Sequence, residues 1–119
     1  MSVSYIEYRG KRIMYIDYTK CKTIDESFAV LEEVKKEYER TSGIMLTLNN
    51  FTGAYGNTDF LQRASKYAKE IFNLRNAKNA CIGVTGIKKV LLQAYNSLMK
   101  DKLVPFETLE EALDYLAKD

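Results

Sequence analysis

From residue 43 onward the chain alternates between short apolar runs and segments of helical period, and this alternation constrains the fold more than any other feature. The runs are GIMLTLNN, NACIGV and LVPF, and each leads into a stretch whose apolar residues recur every three or four positions. A strand, a helix and a further strand form the unit from which parallel sheets are built with right-handed crossovers. The helix after GIMLTLNN is predicted to start at Asn57 or Thr58 and run to about Asn76, with Phe60, Leu61, Ala64, Tyr67, Ala68 and Ile71 as its stripe. The one after NACIGV carries Ile87, Val90, Leu91, Ala94 and Leu98, with Thr85 as its cap. The last, TLEEALDYLAKD, opens with Thr108 and Glu111 at capping-box spacing and turns Leu109, Ala112, Leu113 and Leu116 inward.

Ahead of this alternation, SYIEY and KRIMYIDY read as a hairpin around Arg9-Gly10. A two-residue turn there sets Glu7 opposite Arg12 and Tyr5 opposite Met14, and places Ile6, Tyr8, Ile13 and Tyr15 on one face. The segment from Thr23 to Arg40 is a helix with a Thr23–Glu26 capping box, Asp25 in its first turn, and Phe28, Leu31, Val34 and Tyr38 facing the sheet. The expected order is ββαβαβαβα: an α/β domain spanning 1–119, with a small, mixed, mostly parallel sheet packed by helices. Pro105 in LVPF points to an edge strand.

Composition narrows the chemistry. The chain has no histidine, which removes Ser-His-Asp and Cys-His nucleophile systems and His-ligated zinc. Its two cysteines, Cys21 and Cys81, form no CxxC pair and fit a reducing, cytoplasmic setting. Cys81 reads as inert core and Cys21 as the more exposed thiol. A net charge of +2 announces no nucleic-acid partner, and no apolar run is long enough for a membrane span. The start, MSVSYIEYRG, lacks the layout of a signal peptide. Nine tyrosines suit strands, while the element order does not match an RNA-recognition motif. No metal site, cofactor or catalytic set is expected.

Two stretches carry a resemblance: LTLNNFTG at 46–53 and GVTGIKKVLL at 83–92. With the element order, they resemble the SpoIIAA-like, or STAS, superfamily, and most closely a less characterised bacterial branch of it. The resemblance implies the fold. Through the anti-sigma factor antagonists of the superfamily, it also implies a regulatory domain that contacts protein partners. In those antagonists a serine of a D-S-S-G-like motif is phosphorylated. Here the corresponding stretch is Asn50-Phe51-Thr52-Gly53, so Thr52 is the residue left to inherit that role, and it falls in a loop ahead of the helix.

Two candidate sites follow. The loop containing Phe51, Thr52, Gly53 and Tyr55 is the irregular segment best suited to touch a partner. At the strand-end edge, Thr85, Gly86, Lys88 and Lys89 stand at a helix start, where lysines are unfavourable unless an anion sits between them. Asp25, Glu26 and Asp59 are expected at the same edge and offset part of that charge; the plain alternative is a pair of solvated lysines. The leading expectation is a non-enzymatic cytoplasmic regulatory or protein-interaction module, monomeric or homodimeric. The alternative is a binder of a small anionic or lipid-like ligand at the C-terminal edge of the sheet.

Overall fold

Arg9 and Gly10 both adopt positive φ, 49° and 79°, the geometry that lets a two-residue turn follow the twist of its strands. The computed structural model, which describes residues 2–54 and 56–119, places this turn between β1 (Val3–Tyr8) and β2 (Lys11–Asp17). Glu7 faces Arg12 and Tyr5 faces Met14, the register that the turn requires. The chain continues through α1 (Ile24–Arg40), β3 (Met45–Asn50), α2 (Thr58–Glu70), β4 (Ala77–Ile82), α3 (Ile87–Asn96), β5 (Leu103–Phe106) and α4 (Leu109–Ala117). The order is the ββαβαβαβα read from the sequence.

The five strands form one sheet in sequential order, β1-β2-β3-β4-β5. Only β1 and β2 are antiparallel; each later neighbour pair is parallel. Three successive parallel steps in one direction, each with the usual crossover hand, put α1, α2 and α3 on the same face of the sheet. That face buries Met14, Ile16, Tyr18 and Met45 against Val30, Leu31, Val34, Ala64 and Ala68. The opposite face, with Ile6, Tyr8, Ile13, Tyr15 and Leu48, receives Ala112 and Leu116 of α4. Both Thr-Glu capping boxes form, at Thr23–Glu26 and Thr108–Glu111. Among the described residues no helix is long and apolar enough to cross a membrane.

Three local expectations are corrected. First, α2 stops at Glu70, short of Asn76, because Ile71 leaves helical geometry (φ −132°, ψ −58°). A short 3-10 turn then folds Phe72 inward, 4.6 Å from the Tyr38 ring. Arg75 fixes this exit by donating to the carbonyls of Tyr38, Thr41 and Gly43. Second, Phe28 is half-buried beneath the Arg63 guanidinium, 4.3 Å away, and Val30 takes the buried place on α1.

The third concerns α3. Ile87 and Val90 are 62% and 58% exposed, and Ala94 and Leu98 are exposed too. The inward side is Lys88, Leu91, Leu92 and Tyr95, and no residue of the helix is fully buried. Both stripes have helical spacing. The helix turns inward the one that carries Leu91 and Leu92, flanked by the apolar stems of Lys88 and Tyr95.

These assignments separate two substitutions. Leu48→Ala, at a fully buried position, is expected to cost about 2–5 kcal/mol. Ile87→Ala is expected to change stability by less than about 0.5 kcal/mol. Urea midpoints of the two variants check both, and equal losses would mean that the faces of α3 are misassigned.

Candidate functional site

Between the sheet and α1–α3 lies a cavity of ≈ 140 Å³. Its floor is the alternate residues of the central strands, among them Ile16, Thr47 and Asn79. Leu31, Val34 and Tyr38 of α1 and Phe60 and Ala64 of α2 form one wall. Lys88, Leu91 and Tyr95 of α3 form the roof. The helix is held at this distance in part by the loop before α2. A Cβ on Gly56 would stand 2.8 Å from Leu91 Cδ1, so glycine permits the loop to pass there.

Thr47 and Asn79 on the floor are hydrogen-bonded. Thr47 Oγ1 donates to Asn79 Oδ1 at 2.7 Å, and Asn79 Nδ2 donates to the Asp101 carbonyl at 2.9 Å. The rest of the wall is largely aliphatic and aromatic. Tyr18 links floor to loop, stacking on Phe51 at 4.8 Å and meeting Phe60 edge-on at 5.4 Å. Burial pushes the phenols of Tyr18, Tyr38 and Tyr95 above their ordinary pKa, so they stay neutral. It also raises the Cys21 thiol at the cavity wall and takes Cys81, in the sheet, up to about 12.

Among the described residues, Lys88 is the only charged side chain on the cavity wall. Its Nζ donates to the Phe51 carbonyl at 3.0 Å, and desolvation lowers its pKa. A cation half out of water, held by one neutral carbonyl, remains under-compensated. Lys89 points into solvent. The cap of α3 is Gly86, at φ 58°, with no side-chain hydrogen bond, so Thr85 does not cap the helix as expected. Thr85 and Gly86 are exposed and stand outside the cavity. Of the four strand-end candidates, the structure brings only Lys88 into a site.

The loop candidates divide in the same way. Phe51 is half-buried and turned into the domain, and Ala54 packs beside it. Thr52 and Gly53 are exposed. The Thr52 amide donates to Asn50 Oδ1 at 3.1 Å, and α2 begins only at Thr58, so Thr52 is a loop residue as read. Tyr55 lies outside the described residues. Tyr18 and Tyr95, which the sequence marks for no site, line the cavity together with Cys21 of the strand-end edge and with Tyr38, a core position of α1. The signal for one of them was present: Lys88, Leu91, Leu92 and Tyr95 are spaced i, i+3, i+4, i+7.

No group of three or more His, Cys, Asp or Glu side chains suited to a metal occurs among the described residues. No protein-family model, no curated protein and no solved structure matches the chain.

The three phenols give a pH signature. A group whose folded pKa is raised adds stability that is complete below its unfolded value, about 10 for tyrosine, and is lost as pH rises past it. Urea midpoints are therefore expected to fall above pH ~10. Tyr18→Phe should make that fall shallower, and an unchanged slope would show that Tyr18 does not titrate against burial.

Proposed function

We propose that the protein binds a small, ring-sized organic anion in the cavity beneath α3, with Lys88 meeting the ligand's charge. The observation that carries this reading is that Lys88 is, among the described residues, the single cation on an otherwise neutral wall. Its size supports it as well, since an apolar cavity of about 150 Å³ accommodates a benzene ring. Small-molecule sites of this kind combine an apolar lining with few, well-placed polar groups. The reading is the second of the two expectations, with the site moved from the outer edge of the sheet to the space under α3. It answers why a lysine stands in the first turn of a helix: Lys88 serves the cavity, and the helix tolerates it.

We read the domain as acting by binding, without chemistry of its own. In support, burial holds the Cys21 thiol and the wall phenols in their neutral forms. The SpoIIAA-like relationship remains part of the proposal, supported by the element order and by the contact between its two quoted stretches: Lys88, in the second, bonds to Phe51 in the first. Among the described residues the protein-partner reading rests on Thr52 and Gly53, because Phe51 faces the core.

Native mass spectrometry of freshly purified protein, compared with its denatured mass, tests the proposal. A low-mass adduct lost on denaturation is expected, weakened at least tenfold by Lys88→Met and unaffected by Lys89→Met. A bare chain that also shows no thermal shift with benzoate or short-chain carboxylates would exclude it.

A further inference from the structure

The sheet has two outer edges, and they differ. β5 is four residues long and carries Pro105, which has no N–H to offer a neighbouring strand. β1 runs for six residues in unbroken register with β2, with no proline or lysine among them. Lysines, prolines and bulges are the usual guards of an exposed edge, and β1 has none of the three.

The register shows which main-chain groups of β1 point outward. In an antiparallel pair, hydrogen-bonded and non-hydrogen-bonded residues alternate. The Asp17 amide donates to the Ser2 carbonyl at 2.8 Å, so Ser2, and with it Ser4, Ile6 and Tyr8, bond towards β2. The N–H and C=O groups of Val3, Tyr5 and Glu7 therefore point away from the sheet. Among the described residues no other main-chain group bonds to them. Val3 is almost wholly covered, while Tyr5 is half-buried and Glu7 exposed.

Charged side chains beside this edge are left over. Glu7 and Arg12 are exposed and stand opposite each other on the α1 side of the hairpin. Among the described residues neither belongs to an ion pair. Arg12 leans instead over Tyr5, with its guanidinium carbon 4.2 Å from the ring centroid. Glu37, beyond that ring, is taken by the Tyr5 hydroxyl and by Arg40.

A second copy can meet this edge about a twofold axis normal to the sheet, which keeps both α1 helices on one side. Bonding then joins odd-numbered residues only. Glu7 opposite Glu7 would set like charges together. Tyr5 opposite Tyr5 would gather both Arg12 guanidiniums at the axis and call on the covered Val3. Tyr5 opposite Glu7 of the second copy avoids these faults. It forms hydrogen bonds through both N–H and C=O of each residue, and it sets the unpaired Glu7 carboxylate beside the Arg12 guanidinium, once on each side of the axis. On the α4 side Ile6 meets Ile6 at the axis as a non-hydrogen-bonded pair, where side chains approach most closely.

We propose that β1 pairs with β1 of a second copy of this chain in this register, with Arg12–Glu7 ion pairs between the copies, so that the two sheets become one. The inference is independent of the cavity. A single strand pair is a small interface, so the dimer assembles and dissociates with concentration.

Sedimentation equilibrium of the unaltered protein, of Glu7→Arg, of Arg12→Glu and of an equimolar mixture of the two variants tests the register, with folding checked by circular dichroism. The unaltered protein is expected to dimerise as its concentration rises. Each variant alone should do so about tenfold more weakly, because like charges then meet at the axis. The mixture should regain the loss as a hybrid, since every contact between copies again joins opposite charges; a role confined to the hairpin would not be repaired by mixing. Amide hydrogen exchange of the unaltered protein gives a check free of substitutions. The Tyr5 and Glu7 amides should slow as concentration rises, while those of Ile6 and Tyr8, already bonded to β2, should not. A chain that stays monomeric at millimolar concentration, or Tyr5 and Glu7 amides indifferent to concentration, would overturn the proposal. So would a mixture no stronger than its parts, because that dimer would use another surface.

Discussion

The hand of the parallel crossover governs this molecule. Because β2 to β5 follow one another in order, each helix between them returns on the same side, and three helices accumulate on one face of the sheet. The other face is left to α4 and to the aromatic residues of the hairpin. The crowded face is where volume is enclosed. α1 and α2 press Val34, Leu31 and Ala64 onto the strands, whereas α3 arrives last and has no fully buried residue of its own. Space remains beneath it. The cavity is a product of topology first, and of side-chain choice second.

Where the sequence was legible, one physical signal acted alone. Capping boxes, the two-residue turn and the strand-helix alternation are local, and each was read correctly because no distant contact competes with it. The failures share the opposite character. Ile71 breaks α2 because Phe72 is claimed by Tyr38, a residue of another helix. On α3, ranking by apolarity alone chose Ile87, Val90 and Ala94, yet the helix turns Lys88 and Tyr95 inward. Spacing could not decide between two stripes of the same period; the partner surface does, and it is assembled from three separate elements.

The same limit explains the site. Lys88 and Lys89 are equivalent in sequence terms, adjacent and identical, at one helix start. Their separation into a cavity lysine and a surface lysine depends on the rotation of α3 about its axis, which follows from Gly86 as cap and Gly56 as a neighbour without a side chain. Tyr18, Tyr38 and Tyr95 come from the end of a strand and from two helices. Nothing in their spacing along the chain announces that they line one cavity.

One set of contacts ties these regions together. The backbone of Phe51 bonds to that of Ile82, the Phe51 carbonyl receives Lys88, and a Cβ on Gly83 would fall 2.3 Å from the Thr52 amide nitrogen. The stretches 46–53 and 83–92 are thus two halves of a single joint. Neither half is free to drift in evolution by itself: a side chain acquired at position 83 would evict the loop, and a reshaped loop would strip Lys88 of its acceptor. Descendants of this chain should inherit the two segments as a matched pair or lose both together, while the outer surface of α3 varies at little cost.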